Sequence, residues 1–534
     1  MSASAAMTDP SRAAPPLPLS DDQAAARGAL SEVLAQAGID LAAEALTAPQ
    51  PAETQATRAV LGKAGSGKTM LLSRLHRDLV ACGVEIVSGD WEGRRRRERR
   101  TLAILAPTNK AASVLRTRGV PATTIHRILY TPVYDPEYEK IAEWLAGKGT
   151  QPETDVLDDA ALARAKAFFD AHQSVPGALA AAGVRGSDFI TGWKRREEGL
   201  DIGLVDESSM LDARQLDDLK EIFPTLILFG DPAQLAPVGQ SGEMVFDRLP
   251  DAHKAHLSRV HRQAQGNPIL DLAHALADPD LTFDAFEAQV EAAAARDDRV
   301  QVPGRVSSDL MARSPVLVWR NATRIRLIQA FRSAHGAPPD DLLPGEPLIC
   351  DGIELPLKHR KKRLDLEARG LIKGAQVIYL GAGKRPGFAR LHVAGAPDPQ
   401  VSAASIIKIE YPGEEEPFIA SAATMGAAFL HGAAVTIHKA QGSQWPEVQV
   451  FAPDLYAAAR SGRTEAGLPL WKRLAYVAIT RAETRLHWVT RYRLGRPADH
   501  LGIEDLRAAP AAPLALEGPE GGGGEPSGGD GDHQ

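Results

Sequence analysis

The stretch Gly62-Lys-Ala-Gly-Ser-Gly-Lys-Thr69 decides the fold of this chain. It fits the pattern G-x-x-x-x-G-K-[ST], in which glycines let successive backbone N–H groups turn inward toward phosphate oxygens. Lys68 supplies a positive charge for the terminal phosphates, and the hydroxyl of Thr69 is a hard ligand suited to Mg²⁺. A short apolar run precedes Gly62, and leucines recur at helical spacing after Thr69. This context predicts a strand, a phosphate-binding loop and a helix N-terminus, which favours anions.

The composition is that of a soluble globular protein with more than one domain. The chain has 534 residues, 44% of them hydrophobic and 24% charged, and its length predicts two to four domains. No apolar run approaches the roughly 20 residues that span a bilayer, so we expect no membrane partner. The only two cysteines, Cys82 and Cys350, lack disulfide or metal-ligand spacing, which favours a reducing cytoplasm. The net charge of −7 means that nucleic acid would need local basic patches.

Acidic side chains follow a second predicted strand. Residues 202–205 are apolar and lead directly into Asp206 and Glu207. Asp206 can hold Mg²⁺ through water, while Glu207 can orient and deprotonate an attacking water molecule. Residues 226–229 form another apolar run, after which Gln234 lies on a turn where it can reach the terminal phosphate or that water. Together with the phosphate loop, these residues predict a site that hydrolyses a nucleoside triphosphate.

Three other features have two readings each. Six arginines between residues 94 and 100 can grip a phosphodiester backbone or line a solvated loop. Gln23 can read adenine through its amide or be an ordinary helix residue. Aromatic side chains in residues 130–199 are predicted to form the small core of an insertion rather than platforms for nucleic-acid bases.

The order of the motifs resembles superfamily 1 DNA helicases, specifically the RecD-like and Dda-like group. The resemblance covers roughly residues 19–490 and rests on Gln23, GKAGSGKT, APTNKAA, TIH, DESSM, GDPAQLAPV, HRQ, VTIHKAQGS and YVAITRAE, in that order. It implies an α/β fold with two RecA-like parallel-sheet domains that form one ATP cleft. It also implies a small insertion in the first domain and an SH3-like β-barrel inserted in the second.

The resemblance gives the following domain boundaries. We expect a disordered N-terminus at 1–17, a first RecA-like domain at 18–129 and 200–255, an inserted subdomain at 130–199 that is a candidate strand-separating pin, a second RecA-like domain at 256–345 and 431–505, a barrel at 346–430, and a disordered acidic tail at 506–534.

The resemblance also assigns site residues. The catalytic candidates are Lys68, Glu207, Gln234, Arg262 and Arg481, the two arginines reaching the nucleotide across the cleft. Nucleotide-binding candidates are Gln23, Gly62, Ala64, Gly65, Ser66, Gly67, Lys68, Thr69 and Gly442, and Mg²⁺ candidates are Thr69 and Asp206. DNA-binding candidates are Pro107, Thr108, His126, Thr436, His438, Lys439 and Ser443.

The predicted function is an ATP-dependent DNA helicase or translocase that moves 5′→3′ on single-stranded DNA and opens duplex at single-strand/double-strand junctions. We expect a monomeric motor of DNA repair, recombination or replication, cytoplasmic and nucleoid-associated, with recombination or repair proteins as candidate partners. Two alternatives remain open: a RecD-like motor subunit of a larger recombination or nuclease complex, and a phosphate-loop kinase acting on a small molecule.

Overall fold

The computed structural model describes residues 18–48, 56–87, 100–134, 136–145, 147, 149–172, 178–179, 181–182, 190–237, 243–259, 266–354, 360–396, 398–420, 423, 425–465, 467–498 and 500–503. The predicted disordered termini, residues 94–99 of the arginine-rich run and Arg262 lie outside these residues. In the described part of the chain, no helix has the length and apolar character needed to cross a bilayer.

The helices are α1 (Asp21–Gln36), α2 (Lys68–Ala81), α3 (Asn109–Thr117), α4 (Ile125–Leu129), α5 (Pro136–Leu145), α6 (Asp159–His172), α7 (Ala213–Ile222), α8 (Pro268–Ala275), α9 (Phe283–Ala294), α10 (Ser308–Met311), α11 (Asn321–Ala334), α12 (Arg360–Ala368), α13 (Ile437–Ala440), α14 (Ala452–Arg460) and α15 (Leu470–Ile479).

The strands are β1 (Ile39–Asp40), β2 (Ala45–Leu46), β3 (Ala56–Gly62), β4 (Glu85–Ile86), β5 (Thr101–Ala106), β6 (Thr123–Thr124), β7 (Tyr130–Tyr134), β8 (Ile190–Arg195), β9 (Ile202–Val205), β10 (Thr225–Gly230), β11 (Lys254–Leu257), β12 (Val300–Gln301), β13 (Val316–Val318), β14 (Pro347–Glu354), β15 (Gln376–Ala382), β16 (Phe388–Val393), β17 (Gln400–Ile409), β18 (Phe418–Ile419), β19 (Gly426–His431), β20 (Ala434–Thr436), β21 (Trp445–Phe451), β22 (Thr464–Glu465), β23 (Leu468–Pro469) and β24 (Ala482–Val489).

The first sheet is parallel and carries the phosphate loop. Its strand order is β11-β3-β10-β9-β5-β4, with β6 paired to β5. Every residue of β5, β9 and β10 is buried, as expected for central strands covered on both faces. The carboxyl ends of β3, β9 and β10 meet at one edge, where ligands bind in open parallel sheets. The predicted α/β core is therefore present.

The second sheet is also parallel, in the order β12-β24-β21-β13-β20. Its largest core cluster includes helices α8, α9 and α15, and every residue of α15 is buried. A helix that is apolar all around belongs in the interior. Because α15 is covered on all sides, its few polar side chains face protein rather than water.

The inserted segment after β7 has a core of its own. Strands β7 and β8 pair antiparallel, and α5 and α6 contribute to a small cluster with partly buried Tyr138, Trp144, Phe168 and Phe169. This packing agrees with the prediction that the aromatics form a local core.

The segment between α11 and β20 contains a mostly antiparallel sheet that closes on itself, with a parallel pairing between β17 and β19. The order is β16-β15-β14-β19-β17-β18, and β16 also pairs with β17. Strand β17 covers Gln400–Ile409 and pairs with both β16 and β19.

Strand β11 crosses the predicted domain boundary at 255/256, because Lys254–Leu257 pair with β3 of the first sheet. That predicted boundary is wrong by two residues.

A buried carboxylate holds the second sheet to helix α11. Asp454 in α14 is fully buried, and it accepts hydrogen bonds from the backbone N–H groups of Trp319 and Arg320 at 3.0 and 2.8 Å. Its other oxygen accepts from Nε of Arg320 at 2.7 Å and from Oγ1 of Thr323 at 2.9 Å. One side chain therefore satisfies the donors at the start of α11.

Replacing Asp454 with alanine should lower the free energy of unfolding by about 2–4 kcal/mol, because it leaves buried donors and the Arg320 charge without their acceptor. Urea unfolding followed by tryptophan fluorescence measures this change. Asp340→Ala removes an exposed carboxylate and should change stability by less than about 0.5 kcal/mol. Equal effects of the two substitutions would contradict this role of Asp454.

Candidate functional site

The phosphate loop joins β3 to α2 through tightly packed glycines. Gly67 has φ of 80° as the N-cap of α2, a left-handed conformation that glycine adopts without strain. A Cβ on Gly62 would lie 3.0 Å from Cβ of Ser66 and closer still to its hydroxyl, so a larger residue would force Ser66 to move. The loop leads directly into the N-terminus of α2, which favours anions.

Lys68 points into this loop. Its Nζ donates to the carbonyls of Gly62 and Lys63, the latter at 3.1 Å, and lies 3.8 Å from a carboxylate oxygen of Asp231. The side chain of Lys68 is only 14% exposed. A buried ammonium held mainly by carbonyl oxygens is available to a stronger anionic partner.

Asp206 and Glu207 follow β9 at the same edge. Burial and the nearby charge of Glu207 raise the pKa of Asp206 above its usual range. Glu207 has φ of 52°, which is rare for a residue with a side chain and is typical of functional sites. No cluster of three or more His, Cys, Asp or Glu side chains suited to a metal occurs among the described residues.

The donor set nevertheless fits Mg²⁺. This ion takes one or two protein ligands and completes its shell with water and substrate phosphates. Thr69 lies in the first turn of α2 and carries a hydroxyl. The charged form of the buried Asp206 carboxylate is destabilised by burial and by Glu207, and a bound cation would offset that destabilisation.

Gln234 contacts the acidic pair directly. Its Nε2 donates to Glu207 at 3.0 Å, and its Oε1 accepts from Oγ of Ser209 at 3.3 Å. Gln234 is 5% exposed. The sequence predicted Glu207 and Gln234 in one site, and the structure brings them into contact.

Arg481 reaches the cleft from the end of α15. Its guanidinium donates to the carbonyls of Val477 and Ser443 at 3.0 and 3.1 Å, and to Oγ1 of Thr480 at 3.1 Å. It forms no ion pair with a carboxylate in the part of the chain that the structure describes. Burial lowers the pKa of Arg481, and the nearby charge of Glu207 opposes that shift. A buried arginine held by neutral acceptors is suited to an anionic ligand.

Two contacts of the phosphate loop were missed by sequence reasoning. The hydroxyl of Tyr476 accepts from the backbone N–H of Ala64 at 2.7 Å and donates to Asp231 at 2.7 Å. Nε2 of His274, on α8, lies 3.1 Å from the carbonyl oxygen of Ala64. Tyr476 is the first residue of the motif YVAITRAE, so the sequence carried a signal for it, whereas no motif marks His274.

Gln23 lies against the loop rather than on the surface. It is fully buried, and its Nε2 donates to the carbonyl of Ser66 at 3.2 Å. Its Oε1 accepts from the N–H of Ser20 at 3.0 Å within a capping box. The reading of adenine stays a prediction.

The DNA-binding candidates lie on both sheets. Thr108 caps α3 by accepting from the N–H of Ala111 at 3.1 Å, and Thr436 caps α13 by accepting from Lys439 at 3.4 Å. Each hydroxyl keeps its own hydrogen for a phosphate oxygen. A Cβ on Gly442 would lie 3.1 Å from Oγ1 of Thr108, so the two sheets meet here.

The other candidates differ in exposure. Lys439 and His126 are exposed, and the ring of His126 packs against Tyr130 at a tilt of 45°, with centroids 4.9 Å apart. Burial lowers the pKa of His438. Ser443 is 5% exposed and its carbonyl accepts from Arg481, which places it beside the arginine. Gly442 lies against Thr108 rather than the phosphate loop, and its nucleotide role stays a prediction.

The fold and the site together define a phosphate-loop ATPase in which one nucleotide-binding loop, on the first parallel sheet, is completed by side chains from a second. Two family models match the chain: an AAA domain at residues 42–302 and a UvrD-like helicase C-terminal domain at residues 431–489. Together they cover more than half of its length.

Solved structures also resemble the chain, at low identity. Pif1 helicase from Candida albicans is 14% identical with a TM-score of 0.44, over 89% of this chain and 95% of that one. Pif1 helicase from Bacteroides in complex with ADP-AlF3 and ssDNA is 13% identical with a TM-score of 0.42, over 92% and 97%. No curated protein shows significant similarity. The two matched family models identify the chain as an ATP-driven DNA helicase of superfamily 1.

The packing around Gly62 gives a direct test of the loop. Gly62→Ala should weaken ATP binding by about 5- to 150-fold, because the new Cβ forces Ser66 aside and overpacking costs about 1–3 kcal/mol. Titration with a fluorescent ATP analogue measures the change. Gly28→Ala, in α1, adds a Cβ with no atom within 4 Å and should bind as the wild type does. Unchanged affinity in Gly62→Ala would contradict the predicted loop geometry.

Proposed function

We propose that the enzyme moves 5′→3′ along single-stranded DNA, driven by ATP bound between its two parallel sheets. The observation that supports the ATP site between the sheets is Arg481, a buried guanidinium that follows α15 and has only neutral hydrogen-bond acceptors among the described residues. Such a group stabilises charge on a transferring phosphoryl group, and an arginine in this position can contribute about 10³–10⁵ in rate.

Each residue of the cleft then has a role. Lys68 and the N–H groups of the loop bind the phosphates, and Thr69 and Asp206 would hold Mg²⁺, which neutralises phosphate charge. Glu207 orients and deprotonates the attacking water, and Gln234 holds Glu207 in place. We assign Arg262 to the same cleft on the resemblance alone.

The DNA track follows the two capped helices. The hydroxyls of Thr108 and Thr436 and the side chains of His126, His438 and Lys439 would contact backbone phosphates, which makes movement indifferent to sequence. Support comes from the contact between Gly442 and Thr108, because it joins the track to the region where the sheets meet. A Bacteroides relative was solved bound to ssDNA.

We further propose that the closed sheet between α11 and β20 is an SH3-like barrel. We also propose that residues 130–199 hold a strand-separating pin. Strand pairing between β16 and β17 supports the barrel. The 5′→3′ direction is supported by the resemblance to RecD-like and Dda-like enzymes. We place the protein as a monomeric, cytoplasmic motor that acts in repair, recombination or replication, with partner proteins from those processes.

Lys68→Ala should abolish DNA-stimulated ATP hydrolysis, because it removes the ammonium that points into the phosphate loop and would bind the terminal phosphates. Phosphate release in the presence and absence of single-stranded DNA measures this. Lys166→Ala removes an exposed lysine of the insertion and should leave the rate unchanged. ATP turnover that survives in Lys68→Ala would refute the site, and wild-type turnover that ignores DNA would favour a small-molecule kinase.

Polarity is tested with two partial duplexes, one carrying a 5′ single-stranded tail and one a 3′ tail. A motor that moves 5′→3′ should unwind the 5′-tailed duplex at least about tenfold faster, because only that strand can be loaded in the productive direction. Gel separation of the products over time measures the rates. Faster unwinding of the 3′-tailed duplex would overturn the proposed direction and leave the helicase function in place.

A further inference from the structure

The turn that follows β10 carries Gln234, and side chains from the second half of the chain contact it at nearly every residue. We call Asp231–Ala236 the Gln234 loop. Tyr476 donates to Asp231, Arg473 donates to the carbonyls of Pro232 and Gln234, Gln441 donates to the carbonyl of Leu235 at 3.4 Å, and Glu465 accepts from the N–H of Ala236. The loop therefore belongs to the first sheet by sequence and is held by the second.

Arg473 makes the central contacts. It lies on α15 and is only 3% exposed, so its guanidinium faces protein on every side. Its Nη1 donates to the carbonyl of Pro232 at 3.0 Å and to the carbonyl of Gln234. Nε of the same guanidinium donates to the carbonyl of Glu465, so the planar group spans two acceptor sites at once, which the single ammonium of a lysine does less well.

A short hairpin also contacts the Gln234 loop. Strands β22 and β23 pair antiparallel, and the carboxylate of Glu465 in β22 accepts from the N–H of Ala236 at 2.5 Å. The carbonyl of Glu465 also accepts from Nε of Arg473 at 2.7 Å. Helix and hairpin are thus joined to each other, and together they hold the Gln234 loop at its middle and at its end.

The held backbone determines where the Gln234 side chain points. That side chain is buried between Glu207, at 3.0 Å, and Ser209, at 3.3 Å. We infer that Arg473 and Glu465 are positioning residues, which place the amide of Gln234 against Glu207 only while the second half of the protein is docked on the loop. This inference rests on the proposed roles of Glu207 and Gln234 in ATP hydrolysis.

Through these contacts, ATP hydrolysis depends on the position of the second sheet in a second way, besides Arg481. Arg481 comes from the second sheet to the nucleotide itself, whereas Arg473 acts on the water-orienting pair of the first sheet. When the sheets separate, Gln234 loses its backbone anchors and Glu207 loses a fixed partner. Hydrolysis is then confined to the docked arrangement, in which the DNA candidates on both sheets also lie together.

Arg473→Met should lower kcat for DNA-stimulated ATP hydrolysis by about 10- to 100-fold, since a charge-assisted bond to a buried carbonyl is lost. The KM for ATP should change less than about threefold, because neither Lys68 nor the loop N–H groups are altered. Arg463→Met, at an exposed arginine before the same hairpin, is the matched control and should match the wild type. Thermal unfolding confirms that each variant is folded.

The decisive measurement is a double-mutant cycle with Gln234→Ala. If Arg473 acts through Gln234, Arg473→Met should change kcat by less than about twofold in the Gln234→Ala background. A merely structural role predicts the same 10- to 100-fold loss in both backgrounds, and that result would overturn the inference. It would leave the proposed function intact, which instead fails if the wild-type enzyme shows no DNA-stimulated hydrolysis.

Glu465 provides a second test if Arg473→Met does not fold. Glu465→Ala removes the acceptor for the N–H of Ala236 and should lower kcat by about 3- to 10-fold. Glu465→Gln keeps an oxygen at the same place and should recover most of the wild-type rate. A loss in Glu465→Gln as large as in Glu465→Ala would contradict the positioning role.

Discussion

One hydrogen-bonded chain joins the two halves of this protein at the nucleotide site. The N–H of Ala64 donates to the hydroxyl of Tyr476, which in turn donates to Asp231. Ala64 belongs to the phosphate loop, Asp231 to the end of β10, and Tyr476 to the second sheet. Burial and the charge of Asp231 raise the pKa of Tyr476 well above its ordinary value, so the hydroxyl remains a donor across physiological pH. The cleft is therefore one hydrogen-bonded unit built from two sheets.

This constraint explains why a second parallel sheet without a phosphate loop is present. A single sheet can bind phosphates through its loop and carboxylates, but it cannot vary the surroundings of the transferring group. The second sheet supplies Arg481 and Arg473 on one fully buried helix region, and it contacts both the phosphate loop and the Gln234 loop. Relative movement of the sheets then changes binding and chemistry together, as a motor requires.

The sequence predicted the parts of the site that lie on local patterns. Gly62–Thr69, Asp206 and Glu207 follow strands, and parallel strands bring their carboxyl ends to one edge, so their proximity could be inferred. The contact between Ala64 and Tyr476 joins residues 412 positions apart, and no spacing rule connects them. The limits of the strands in the closed sheet were harder to predict. A bulge such as the one between Tyr379 and Gly381 interrupts the alternation of buried and exposed residues by which strands are recognised.

The buried arginines also make the stability of the closed cleft depend on the acceptors that surround their guanidinium groups. Moving a guanidinium out of water is unfavourable unless acceptors replace the lost solvation, and the acceptors found here are mostly neutral carbonyls. Hydrogen bonds to carbonyls of the Gln234 loop offset part of the desolvation of Arg473. For Arg481, a nearby anion would offset the desolvation more fully than its neutral acceptors do. We therefore expect closure around ATP to be more favourable than closure without a bound phosphate. A cleft balanced in this way can open again after hydrolysis, and that reversal is what allows one ATP site to drive repeated steps along a strand.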